Sequence, residues 1–194
     1  MKRALVVIDV QESFRQRENW AACSNPEIAK QVHRLTETFR ARGEMIVWVL
    51  HTEPGTGNVF DPASGYVRLI EGLEAADGEP VITKTSFDAF HTTNLQQLLI
   101  GENIGEVVTC GIRTEQCVET TTRAAAGMGF EVTYVIDATA THPIEHRDAP
   151  PGRPLAEILA DPRTLQVEDI IARTEYVLAG RFARVTTVAE LTGS

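Results

Sequence analysis

The strongest constraint on this chain is a recurring pair: a short apolar run, then a segment with helical periodicity. Ala4-Leu5-Val6-Val7-Ile8 is apolar at every position and stops at Asp9. A strand covered on both faces reads as a continuous run, whereas a half-exposed one alternates. Pro26–Arg42 carries Ile28, Val32, Leu35 and Phe39 at helical spacing, and Gly43 ends it. The pattern recurs, predicting strands at Met45–Leu50, Val81–Lys84, Glu106–Cys110, Glu131–Ile136 and Ala183–Val188. Helices are predicted from Asn94, as a cap, to Ile100, from Glu115 to Met128 and from Val167 to Leu178. Strands alternating with helices imply an α/β fold, a three-layer α/β/α sandwich of Rossmann-like type around a mainly parallel sheet. The 194 residues suit one domain, 1–194. Within it, about 141–167 reads as an insertion, marked by the breaker cluster Ala149-Pro150-Pro151-Gly152-Arg153-Pro154, that serves as a lid or a subunit contact.

Charge and cysteine usage narrow the function. A net charge of −9 with no basic run argues against nucleic acid and anionic membranes as partners. The first apolar run ends at Asp9 with no small-residue cleavage site after it, so it reads as a strand rather than a signal peptide, and the expected location is cytoplasmic. Cys23, Cys110 and Cys117 are three, odd in number and without a CxxC pair, which supports neither a disulfide framework nor a zinc site. The turn Val10-Gln11-Glu12-Ser13-Phe14 has no glycine to cradle a phosphate, which speaks against a nucleotide-binding version of the fold.

In parallel α/β sheets, chemistry gathers beyond the carboxyl ends of the strands. Three reactive residues fall there. Asp9 ends the first strand, Lys84 ends the third, and Cys117 follows the fourth in the first turn of the next helix. Singly, each has a bland reading: a turn former, a solvated lysine, a small buried hydrophobe. Together at one sheet edge they make a reactive set. The positive end of a helix and a nearby ammonium are expected to stabilise a thiolate, and a carboxylate can carry the thiol proton to a leaving amine.

The segment Cys110-Gly111-Ile112-Arg113-Thr114-Glu115-Gln116-Cys117-Val118-Glu119-Thr120-Thr121 resembles the nucleophile turn of the isochorismatase-like cysteine hydrolases. Asp9-Val10-Gln11-Glu12-Ser13-Phe14 resembles that family's D-x-Q-x-x-F opening, Lys84-Thr85-Ser86-Phe87-Asp88-Ala89-Phe90 its third signature, and Val135-Ile136-Asp137-Ala138 its strand after the nucleophile helix. The matches run in order from about residue 4 to residue 140. The resemblance implies a catalytic triad of Asp9, Lys84 and Cys117, a cis peptide between Ile112 and Arg113, and an oxyanion hole from the Arg113 and Cys117 N–H groups. It also implies a homodimer or homotetramer acting on a small molecule without a cofactor.

Within such a family the kept Cys117 matters. Isochorismatases proper, which cleave a vinyl ether, commonly lack the cysteine, whereas a thiol suits acyl transfer. The expected reaction is hydrolysis of a C–N bond in an amide, carbamoyl compound, ureide or lactam. The alternatives are a vinyl-ether hydrolase and a non-enzymatic binding member. Nicotinamidases carry an Asp-x-His metal pair after the second strand. Here that stretch reads Leu50-His51-Thr52-Glu53, so no metal is expected. Candidate pocket residues are Gln11, Phe14, His51, Phe90 and Thr114. Arg113 is expected to point outward, with an anionic substrate group or a neighbouring subunit as its alternative partner.

Overall fold

The computed structural model describes residues 1–193. Its first apolar run becomes β1 (Lys2–Ile8), a central strand. The others are β2 (Met45–His51), β3 (Val81–Lys84), β4 (Ile104–Ile112), β5 (Glu131–Ala140) and β6 (Arg184–Thr186). They form a six-stranded sheet in the order β3-β2-β1-β4-β5-β6, every neighbouring pair parallel. Ala4–Ile8 lies against Met45–Val49 on one side and Val107–Gly111 on the other.

Successive side chains point to opposite faces of a strand. Leu5 and Val7, with Ile46, Trp48 and Val108, pack against Ile28, Val32, Leu35 and Phe39 of α2 (Ile28–Ala41), the second helix after the one-turn α1 (Glu12–Arg15). Ala4, Val6 and Ile8, with Val47, Val49 and Val107, meet the opposite layer. That layer brings Leu95 and Leu99 from α3 (Leu95–Gly101), Ala125 from α4 (Glu119–Gly127) and Leu178 from α6 (Val167–Leu178). The short α5 (Leu155–Ala160) and α7 (Val188–Thr192) complete the set. Among the described residues no helix is long and apolar enough to cross a membrane.

Four local features depart from the sequence expectation. Asn94 stands at the N-cap of α3 but makes no side-chain cap; the Leu95 N–H donates to Thr93 Oγ1 instead. β5 runs on to Ala140 through a bulge: Thr109 pairs with Tyr134 but Gly111 pairs with Thr139, so Val135–Ala138 bow out before pairing resumes. The sixth strand is shorter than expected because Thr187 and Glu190 form a capping box that starts α7. Finally, Cys117 lies in a π turn, Thr114–Val118, that precedes α4, with the Val118 N–H reaching back to the Arg113 carbonyl. Single π turns recur where helices serve functional sites.

The stretch from Thr141 to Val167 folds back on its own chain. Ile144 and Leu165 form an antiparallel bridge, and Arg153 joins Glu145 and Asp161 at 2.8 Å each.

Candidate active site

The strand order reverses between β1 and β4, and in parallel α/β sheets ligands bind at such a switch point. Asp9 leaves β1 there with a positive φ of 55°, its N–H donating to the Val49 carbonyl. Lys84 closes β3 in register with His51. Beyond β4 the Ile112–Arg113 peptide is cis, and the π turn delivers Cys117. Gly111 makes this exit possible: at φ 130° it passes so close to β1 that a Cβ would stand 1.9 Å from the Ile8 carbonyl oxygen.

These paths converge. Lys84 Nζ lies 2.8 Å from Asp9 Oδ2 and 3.4 Å from Cys117 Sγ, and it also donates to the Ser86 carbonyl at 3.0 Å. Its fourth neighbour is His51 Nδ1 at 3.3 Å, while His51 Nε2 meets Glu53 at 3.2 Å. Asp9 and Lys84 are fully buried and Cys117 is 7% exposed. Asp9 is ion-paired with Lys84 through Oδ2, and the Cys117 thiol also favours its charged form, so the carboxylate faces the thiol whose proton it could accept.

Burial sets the resting protonation. It raises the Asp9 carboxyl above its ordinary value against the opposing pull of Lys84. It also pushes the Cys117 thiol up to about 12, with the Asp9 charge adding to it and Lys84 only partly offsetting both. The expected pre-formed thiolate is therefore not the resting state, because desolvation outweighs the lysine. Cys110, deep in β4, is raised by burial alone, and Cys23 is half-buried and raised by the same cause.

The other candidates divide. Phe14 is buried edge-on to Phe60, which in turn touches His51, so an aromatic row leads to Lys84. Gln11 spends its amide on the His51 main chain and Ser13, stitching β1 to β2 rather than facing a ligand. Thr114 bonds Thr139 at 2.8 Å and its carbonyl accepts from Tyr134, so it braces the π turn. Phe90 stacks on Phe130 in the core of the α3, α4 and α6 layer. Arg113 does not point outward: it pairs with Glu115 at 3.1 Å and donates to the His142 carbonyl, with burial lowering its pKa. Among the described residues no three His, Cys, Asp or Glu side chains are gathered so as to hold a metal.

The sequence pattern ends the fifth strand at Ile136, which leaves His142 outside the strand-end positions; with β5 running to Ala140, His142 stands two residues past a strand's carboxyl end.

The fold is thus a Rossmann-like α/β one, a parallel sheet with a buried cysteine, lysine and aspartate meeting at its switch point. Residues 3–150 match the isochorismatase domain model, and the chain belongs to the isochorismatase family. It is 32% identical over 139 residues to the uncharacterised isochorismatase family protein YrdC of Bacillus subtilis, covering 72% of this chain and 74% of that one. It is 33% identical over 145 residues to streptothricin hydrolase of Streptomyces noursei, covering 73% of this chain and 51% of that one. The crystal structure of an isochorismatase from Pseudomonas putida superposes with a TM-score of 0.83 at 28% identity, over 97% of this chain and 89% of that one. The protein is thus an isochorismatase-family hydrolase.

Proposed function

We propose that this chain hydrolyses a C–N bond of a small amide, carbamoyl compound, ureide or lactam through an acyl-Cys117 intermediate. The observation that carries this reading is the buried contact of Lys84 with both Asp9 and Cys117. Asp9, facing the thiol and with its basicity raised by burial, takes the thiol proton as Cys117 Sγ bonds to the carbonyl carbon. The negative charge moves to the carbonyl oxygen, for which the Arg113 and Cys117 main-chain N–H groups are the proposed donors. The C–N bond then breaks, Asp9 returns the proton to the nitrogen, and the amine leaves. Water attacks the thioester with Asp9 again as base, the S–C bond breaks, and the acid departs as the thiol is restored. Lys84 holds the carboxylate in place and stabilises charge at sulfur. The likeness to a protein named streptothricin hydrolase is in keeping with hydrolysis.

Intact-protein mass spectrometry after brief exposure to an amide and ureide panel tests this. A mass increase on Cys117 matching the acyl half of a turned-over compound is expected. Cys117→Ala is expected to lose the adduct and at least about a thousandfold in kcat. Turnover of isochorismate that survives Cys117→Ala would replace this reading with vinyl-ether cleavage.

A further inference from the structure

His142 is fully buried, and neither ring nitrogen has a hydrogen-bond partner among the described residues. Buried polar atoms in folded proteins nearly always have partners, so two orphans on one ring call for one. The surroundings say what kind. The ring stacks on Phe14 at 6.4 Å between centroids and 15° between planes, and Trp20 tilts against it at 6.1 Å. Phe14 begins the row that passes through Phe60 and His51 to Lys84. The His142 carbonyl accepts from Arg113, the residue after the cis peptide, which ties this position to the loop that carries Cys117.

We propose that His142 is a specificity-determining residue that hydrogen-bonds a neutral polar group on a flat substrate held along Phe14. This rests on the amidohydrolase reading above for the identity of the reaction. Burial, with Arg113 and Arg17 nearby, pulls the imidazole down to about 4, so it is neutral at pH 7 and offers one donor and one acceptor. A hydroxyl, carbonyl or ring N–H matches that pair. A charged carboxylate or ammonium would have to shed its hydration to reach a buried neutral ring. A site built to bond a polar group discriminates against an analogue lacking it, because its own buried atoms are then left unpaired.

The test uses the Cys117→Ala protein and a matched set: benzamide, its meta- and para-hydroxy derivatives, and its meta- and para-carboxy derivatives. Calorimetry should show at least one hydroxybenzamide binding about tenfold more tightly than benzamide, with neither carboxybenzamide gaining. Adding His142→Phe, which keeps the stacking face, should erase that gap, and His142→Gln should keep part of it. A melting curve checks that both variants fold. If His142→Phe does not, the ring nitrogens of ¹⁵N-histidine-labelled Cys117→Ala protein are followed by NMR, and His142 must shift with a hydroxybenzamide and not with benzamide. No binding by any member, no gap between hydroxylated and plain compounds, or a gap indifferent to His142 would each overturn the proposal, leaving His142 bonded to structural water. Acylation of wild-type Cys117 is scored separately. Adducts that form with no dependence on His142 remove this inference and spare the reaction. Binding that depends on His142 without any adduct removes the reaction and spares His142.

Discussion

Burial pushes the pKa of Asp9 and of Cys117 in the same direction, and in the proposed reaction the two shifts would serve opposite ends of one proton transfer. The carboxylate becomes a better acceptor while the thiol, up to about 12, keeps its proton until a substrate arrives. Asp9 must be ionised to act as the base, so kcat/KM should fall as pH drops through its folded pKa. That pKa is raised, so the acid limb of the pH profile should lie above the ordinary aspartate value, and a limb below it would argue against Asp9. His142 yields a second pH expectation, this time in stability. Its folded value of about 4 lies below the 6.5 of a free histidine. Between those two values the unfolded chain binds more protons, so stability rises with pH across the window and is lost as pH falls through it. Chemical denaturation from pH 4 to 7 should show this slope, and His142→Phe should flatten it. Of these residues, Asp9, Lys84 and Cys117 were readable in the sequence because each sits next to an apolar run that marks a strand end. The thiol's protonation was not, since a helix end and a lysine pull one way and the depth of burial, invisible in a sequence, decides the other.

The elements around β4 show why the site needs so little sequence and such strict geometry. β1 and β4 are in register at Ile8 and Gly111, where a side chain on residue 111 would meet the Ile8 carbonyl oxygen. Gly111→Ala should therefore cost more than about 3 kcal/mol in a urea titration, because the obstacle is backbone and cannot swing away. Activity should go with it, since the same displacement moves the π turn. The buried strands, α2 and α6 could be read from their apolar spacing. The bulge of β5 and the π turn could not, because each depends on contacts between segments far apart in sequence: Thr139 must reach Thr114, and Tyr134 must reach the Thr114 carbonyl. One-turn α1 and the short α5 and α7 carry too few residues to display a helical period.

Across the whole molecule, the strand order puts the two most protected strands at the site. β1 and β4 have neighbours on both sides, whereas β3 and β6 are edges. Hydrogen exchange followed by mass spectrometry should find peptides of β1 and β4 exchanging last and those of β3 and β6 first. Equal protection across the sheet would contradict this order. The site thus hangs from central β1 and β4 and, through Lys84, from edge strand β3, and it is roofed by chain, with Cys117 only 7% exposed. That roof has a further consequence for how the protein ages. Peroxide attacks thiolates, and chiefly accessible ones. If the proposed reaction holds, a cysteine kept protonated and covered between turnovers should be slow to convert to sulfenic and sulfinic acids. The same cover over Cys117 would therefore both select a substrate and keep peroxide from the thiol at rest.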